Sequence, residues 1–340
     1  MISTVKDFCE YLFPRSGRKE FYLQMRRVLL LWSDKVRSEK YRRIEIVKQN
    51  GGLRVLYAPD PELKWIQRQL LALLSDVDLP ACATGYRKGI SLRDGAAPHL
   101  GHPLLVKLDI EAFFDRISVP QLFYAIDNAL RGLPRFGVHL AEYDAEDPLG
   151  NHYNNELSYF FTKLCTREGK LPQGAPTSPF LSNLVFAPLD REIQSYCEQR
   201  HIVYTRYSDD MTFSGSAFHP EALMNFVSCL LKRHGFRLNR AKTVVASAGS
   251  RHRVTGVLVN EKLQVDAAFR RKIRQEMYYI QKFGVRAHLL KQNDENYVRN
   301  GRVYQKKYLD SLLGRIGFVL QINPDDEEFQ NYKHIVHRLR

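Results

Sequence analysis

The order of segments predicts an α+β fold, and three observations carry that expectation. Apolar residues recur at helical spacing through both ends of the chain, strand-like runs gather in the middle, and no internal repeat or low-complexity tract is present. Taken in order, Phe8, Leu12 and Phe13 mark a first helix, and Phe21, Met25, Val28, Leu29 and Trp32 a second. Tyr41 to Val47 then alternates, Asn50-Gly51-Gly52 turns, and Leu53 to Tyr57 returns, a hairpin that Pro59 and Pro61 end. Leu63, Ile66, Leu70, Leu73 and Leu74 restore helical periodicity. Leu104 to Ile110 is an apolar strand broken by Lys107 and ended by Asp109, and Pro120 to Leu130 is a helix. Residues 131–156 change texture: Gly132, Pro134, Gly137, Pro148 and Gly150 alternate with Glu142, Asp144, Glu146 and Asp147, as in a surface loop or insertion. Ser178-Pro179 has the form of an N-cap and a first-turn proline, opening a helix through Phe180, Leu184, Leu189 and Ile193. Ile202 to Phe213 reads as two strands around Ser208-Asp209. Pro220 to His234 is expected as a helix, Val254 to Val259 as a strand, and Ala267 to Lys282 and Gln305 to Ile322 as helices.

Composition narrows the function. Of the 340 residues 44% are hydrophobic and 11% aromatic, which excludes general disorder. The longest apolar run near the start, Val28 to Trp32, is far short of the ~20 residues that span a bilayer. Lys6, Asp7 and Glu10 break any signal-peptide core, so a soluble cytoplasmic protein with no membrane partner is expected. Cys9, Cys82, Cys165, Cys197 and Cys229 are scattered, odd in number and without a CxxC pair. They argue against a disulfide framework or zinc site and for buried or incidental thiols in a reducing cytosol. The net charge of +14 suits a polyanionic partner. It is uneven: +6 over residues 1–60, −4 over 61–162, +5 over 163–261 and +7 over 262–340.

The chemistry begins at Asp109, where an apolar strand runs out; a carboxylate there is a helix cap or a ligand. In Tyr207-Ser208-Asp209-Asp210, two adjacent acids at a strand turn repel unless a cation screens them, and the alternative is a solvated Asx turn. Together, two strand ends supplying three carboxylates suit two hard divalent cations, and oxygen ligands favour Mg²⁺. Two such ions about 4 Å apart activate an attacking 3′-hydroxyl and stabilise a leaving pyrophosphate.

These segments resemble reverse transcriptase motifs. Val106-Lys107-Leu108-Asp109-Ile110-Glu111-Ala112-Phe113-Phe114, Leu171-Pro172-Gln173-Gly174-Ala175-Pro176-Thr177-Ser178-Pro179 and Arg206-Tyr207-Ser208-Asp209-Asp210 stand in the family's order. Lys48 to Pro59, followed by Leu63-Lys64 and Ile66-Gln67-Arg68, is similar to the fingers motif, and Asn239-Arg240-Ala241-Lys242-Thr243 to the motif after the catalytic hairpin. Within the family the chain most resembles bacterial retron reverse transcriptases. Val254-Thr255-Gly256 matches their VTG triplet, and Gly95-Ala96-Ala97-Pro98-His99 their NAxxH motif, with Gly95 in place of asparagine. Ser208 stands where the family has alanine, and Leu313-Gly314-Arg315-Ile316 and Gln321-Ile322-Asn323-Pro324 resemble retron thumbs.

The resemblance implies a right-hand polymerase. Its divisions would be N-terminal helices and fingers (1–100), palm (101–120 and 177–261) around a fingers insertion (121–176), and thumb (262–340), with no length left for RNase H, endonuclease or maturase domains. It implies two Mg²⁺ ions on Asp109, the Ile110 carbonyl, Asp209 and Asp210. Phe114 would be the steric gate against a 2′-hydroxyl, or a core aromatic; Gln173 and Gly174 would line the nucleotide pocket, the glycine letting the chain approach a ligand. Arg54 would clamp the triphosphate and Lys242 would neutralise or protonate pyrophosphate, or either would be a solvated surface charge. RNA contacts are expected at Val254, Thr255, Gly256, Arg270 and Arg274, and His99 either meets RNA or caps a loop. The implied partners are deoxynucleoside triphosphates, a cognate structured noncoding RNA primed from an internal guanosine 2′-hydroxyl, its branched DNA product, a defence effector protein and host RNase H. The alternatives are another stand-alone bacterial enzyme of group II intron or abortive-infection type, and a catalytically silent RNA-binding scaffold.

Overall fold

The computed structural model describes residues 1–47, 51–136, 156–300 and 302–340. Asn50 of the expected hairpin turn and the acidic Glu142–Asp147 stretch lie outside the described residues. The chain opens with α1 (Val5–Leu12), where Thr4 and Asp7 form a reciprocal capping box, then α2 (Arg18–Leu30) and α3 (Asp34–Glu39). The hairpin follows as β1 (Tyr41–Val47) and β2 (Leu53–Pro59), antiparallel with Tyr41 opposite Pro59. Asp60 caps α4 (Pro61–Leu73), accepting the Leu63 N–H ahead of a first-turn proline. Next come α5 (Leu92–Ala96), β3 (Leu104–Asp109), α6 (Phe113–Arg116), α7 (Val119–Arg131), α8 (Glu156–Cys165) and α9 (Ser178–Glu198).

The central sheet adds β4 (Val203–Tyr207) and β5 (Asp210–Gly215), then, after α10 (Pro220–Arg233), β6 (Val244–Ala246). Its order is β4-β5-β3-β6 and every pairing is antiparallel. The C-terminal part carries β7 (Arg253–Val254), β8 (Val257–Leu258) and β9 (Gln264–Val265) as a second antiparallel sheet. It ends with α11 (Ala267–Gln292), the short pair β10 (Val298–Arg299) and β11 (Arg302–Val303), α12 (Gln305–Ile322) and α13 (Glu327–Leu339). The fold is mixed α+β with antiparallel sheets, as expected.

Strand alternation divides the interior between two cores. Val106, Leu108, Met211 and Phe213 face a large core shared with α1, α4 and α7–α10, whereas Leu105 faces a second core built on β7–β9 and α11–α13. The central sheet is therefore covered on both faces near its middle, and its Asp109 end is left open to the site.

Several expectations need correction. Val254 to Val259 is not one strand but a hairpin, because Thr255 (φ 46°) and Gly256 (φ 89°) both adopt left-handed backbone and turn the chain between β7 and β8. Ser178 is the first residue of α9 rather than its cap, and its hydroxyl donates to the Pro172 carbonyl at 2.6 Å. The helix expected over Ala267 to Lys282 extends to Gln292, with a break at Gly284 (φ 78°, ψ 160°). Of the cysteines, four are buried and Cys229 is exposed, and all five are free thiols. Among the described residues no helix is long and apolar enough to cross a membrane.

Candidate active site

The hairpin between β4 and β5 has a two-residue turn, Ser208-Asp209, with Tyr207 opposite Asp210 and Ser208 at φ 61°. Because β5 also pairs with β3, Asp210 lies opposite Asp109. The Ile110 N–H donates to the Asp209 carbonyl at 3.0 Å, and the Asn239 N–H to the Asp109 carbonyl at 2.7 Å. Backbone pairing alone thus brings Asp109 to the same end of the sheet as Asp209 and Asp210, about 100 residues further along the chain. Two lysines balance them: Lys242 Nζ stands 2.8 Å from Asp109 and Lys107 Nζ 2.9 Å from Asp210. Burial, reinforced by the charges of Asp109 and Asp210, holds the Asp209 carboxyl above its ordinary value. The hydrogen bond to Asp109 likewise raises Lys242.

This end of the sheet opens into a cleft of 1280 Å³, which Arg54, Asp109, Ile110, Phe114, Gln173, Asp209, Asp210, Lys242 and Thr255 all line. Arg54 Nε donates to Gln173 Oε1 at 3.1 Å, tying the β1–β2 hairpin to the loop before α9. Phe114 is largely buried with its edge to Phe113 at 5.6 Å, yet reaches the cleft wall, so the core and gate readings are compatible. Gly174 has a structural reason of its own. At φ 115° a Cβ there would lie 3.0 Å from the Tyr57 carbonyl oxygen, so the missing side chain admits the β2 backbone.

Four other residues expected at RNA are placed as follows. His99 is fully buried, with Nδ1 2.7 Å from the Ser214 hydroxyl and Nε2 2.7 Å from that of Thr205, leaving no free ring nitrogen for RNA. Val254 is buried in the second core. Arg270, largely buried, pairs with Asp326 at 2.5 Å and donates to Gln264, whereas Arg274 pairs with Glu328 at 2.6 Å and stays exposed. Of the VTG triplet, Thr255 lines the cleft and Gly256 is exposed in the turn beside it. The departure at Gly95 also has a local cause: a Cβ there would meet Thr84 Oγ1 at 2.7 Å.

Sequence reasoning missed Tyr86, Arg167 and Lys170 in the cleft wall. Tyr86, 44% exposed at φ 61°, sets its ring 5.3 Å from that of Tyr207. No local signal marks it, because its place depends on the 82–85 loop lying against β4, where Ala83 bridges Arg206. Arg167 and Lys170 sit on a turn whose Glu168-Gly169 pair, both at positive φ, was the one readable hint.

The donor set bears on the expected metal. Among the described residues no group of three His, Cys, Asp or Glu side chains closes around a point, and Asp109 and Asp210 each pair with a lysine. The chemistry nevertheless fits a hard cation: the donors are all oxygen, the Ile110 carbonyl accepts no backbone N–H among the described residues, and the half-buried Asp209 sits beside the like charges of Asp109 and Asp210.

A sheet end of this kind belongs to a recognisable class. Residues 46–266 match the model of the reverse transcriptase (RNA-dependent DNA polymerase) family. The chain is 31% identical to the retron Ec86 reverse transcriptase of Escherichia coli, over 70% of this chain and 69% of that one. It is 32% identical to the retron Mx65 reverse transcriptase of Myxococcus xanthus over 86% of this chain, a match that spans 64% of the relative's length. The chain belongs to the retron reverse transcriptases. Among solved structures, the apo telomerase of Candida tropicalis aligns over 88% of this chain and 58% of its own at 11% identity, with a TM-score of 0.47, too remote a likeness to carry weight.

Proposed function

We propose that this chain copies RNA into DNA as a right-hand polymerase, with fingers at 1–100, palm at 101–120 and 177–261 around an insertion at 121–176, and thumb at 262–340. The observation that carries the reading is the meeting of Asp109, Asp209 and Asp210 at one sheet end, facing a cleft that Arg54 and Gln173 share. Asp109, Asp209, Asp210 and the Ile110 carbonyl would hold two Mg²⁺ ions. When bound, the ions would activate the primer 3′-hydroxyl and stabilise the leaving pyrophosphate. Arg54, held on Gln173, positions the triphosphate; the ring of Phe114 lies against the sugar and excludes a 2′-hydroxyl. Lys242, kept protonated by Asp109, supplies charge or a proton to the pyrophosphate.

The retron relatives support a finer reading: a cognate noncoding RNA template, priming from an internal guanosine 2′-hydroxyl, a branched RNA–DNA product trimmed by host RNase H, and a defence effector as partner. The double variant Asp209→Asn, Asp210→Asn should lose primer extension by at least about 1000-fold while keeping its melting temperature, and surviving synthesis would remove these residues from the chemistry. Nucleic acid extracted from the purified protein should include DNA that keeps a short, debranching-sensitive RNA stub after RNase; linear DNA alone would refute the branched product.

A further inference from the structure

Beneath the aspartate turn lies a buried ion pair that none of the motifs explains. Arg206 and Asp190 are both 0% exposed. Arg206 Nε and Nη2 donate to the two carboxylate oxygens of Asp190 at 2.9 and 2.6 Å, a bidentate pair. Its Nη1 donates to Asn183 Oδ1 at 3.0 Å and to the Ser208 carbonyl at 2.9 Å. Tyr204 donates its hydroxyl to Asp190 at 2.8 Å, and Asn183 donates to the Gly85 carbonyl at 2.7 Å. The guanidinium also lies over the Phe186 ring at 4.5 Å.

The bond to Ser208 is the informative one. The Ser208 carbonyl belongs to the peptide on the N-terminal side of Asp209, and the Asp209 carbonyl to the peptide on the other side. Arg206 holds the first, and the Ile110 N–H holds the second at 3.0 Å. With both flanking peptides fixed, the direction of the Asp209 Cα–Cβ bond is fixed too. The turn needs such a hold, because Ser208 sits at φ 61°, where a side-chain-bearing residue is strained. From the other side Gly85 presses on the turn, its absent Cβ position only 3.0 Å from the Ser208 nitrogen. A buried ion pair is poor value as a source of stability, since apolar replacements of similar volume are commonly neutral or better. Its geometry here is spent on position.

We propose that Arg206, neutralised and oriented by Asp190, is a positioning residue that sets the Asp209 carboxylate against Asp109. This rests on the polymerase reading for its consequence and on the hydrogen bonds for its geometry. An arginine is required, because a lysine is a point charge that cannot serve Asp190 in a bidentate fork, Asn183 and the Ser208 carbonyl together.

The test replaces the pair by Arg206→Met with Asp190→Leu, and measures thermal unfolding, Mn²⁺ binding by electron paramagnetic resonance, and single-nucleotide extension. The expected result is a folded protein with kcat about 100-fold lower, dNTP KM changed by less than about threefold, and Mn²⁺ bound about tenfold more weakly. Parent-like kcat and Mn²⁺ affinity in that variant would overturn the proposal. Should the double variant fail to fold, Arg206→Lys decides: kcat at least about tenfold lower at an unchanged melting temperature supports the role, and parent-like kcat overturns it. A parent protein that extends no primer would sink the polymerase reading. The Mn²⁺ titration of the folded variant would then decide the positioning role, with weakened binding supporting it and parent-like binding overturning it.

Discussion

Asp209 is half-buried and His99 fully buried, and their surroundings give them opposite uses. Around Asp209 the like charges of Asp109 and Asp210 add to burial, so the site gains by taking up a cation. Around His99 two hydroxyls satisfy both ring nitrogens, and burial holds the imidazole neutral, lowering its pKa to about 3. Unfolding restores the ordinary value of 6.5, so the unfolded chain takes up the proton first as pH falls. The contribution of His99 is therefore whole above pH 6.5 and is lost as pH falls toward 3, by about 1.4 kcal/mol per pH unit. His99→Leu should flatten that slope in urea unfolding, cost about 1–3 kcal/mol at neutral pH by leaving the Ser214 hydroxyl unpaired while Thr205 keeps its bond to the Gly95 carbonyl, and leave RNA affinity unchanged. A large loss of RNA affinity in the folded variant would restore His99 to the interface. For Phe114 the discriminating measurement is the ratio of kcat/KM for deoxy- and ribonucleotides. Phe114→Ala should lower it at least about tenfold, and an unchanged ratio would leave the ring a core aromatic only.

At the scale of elements, the β1–β2 hairpin and the loop before α9 act as one unit. The Tyr57 N–H donates to the Gln173 carbonyl at 2.7 Å, Arg54 bonds the Gln173 side chain, and Gly174 lets the two backbones meet. Gly174→Ala combines a φ of 115° with a Cβ 3.0 Å from the Tyr57 oxygen. It should cost about 1–3 kcal/mol in thermal unfolding and raise the dNTP KM by displacing Arg54; a parent-like KM would separate the hairpin from nucleotide binding. The same scale shows which elements were legible. The β1 strand, the Ser208-Asp209 turn and the α12 span read correctly because alternation, turn chemistry and helical periodicity were strong there. Helix α13 went unread because it buries little beyond Phe329 and Val336. The β7–β8 hairpin read as one strand because a run of valines hid a turn built on Thr255, a residue that rarely takes positive φ.

Over the whole molecule, the charge of +14 is the excess of 51 basic over 37 acidic residues. Three of its C-terminal arginines are held in ion pairs, Arg270 with Asp326, Arg274 with Glu328 and Arg315 with Glu276, which fixes where they sit and leaves the net excess unchanged. The exposed cations left for a nucleic acid include Arg18, Lys19, Arg26 and Arg27 along α2. If about six phosphates are contacted, template–primer affinity should fall about 10³-fold between 50 and 200 mM salt; a flat salt dependence would argue against a phosphate grip.

The sequence by itself determined the identity of the three carboxylates, the strand and turn that carry them, and the α+β class, because each depends on residues adjacent in the chain. Only the tertiary structure decided that Asp109 faces Asp210, that Lys242 and Lys107 balance them, that Gly174 yields to Tyr57, that Arg270 and Arg274 are paired with acids of the C-terminal segment, and that Arg206 sits beneath the turn. The reason is range. Periodicity and turn propensity act over a few residues, whereas the partner of a buried charge is chosen by packing between segments a hundred residues apart.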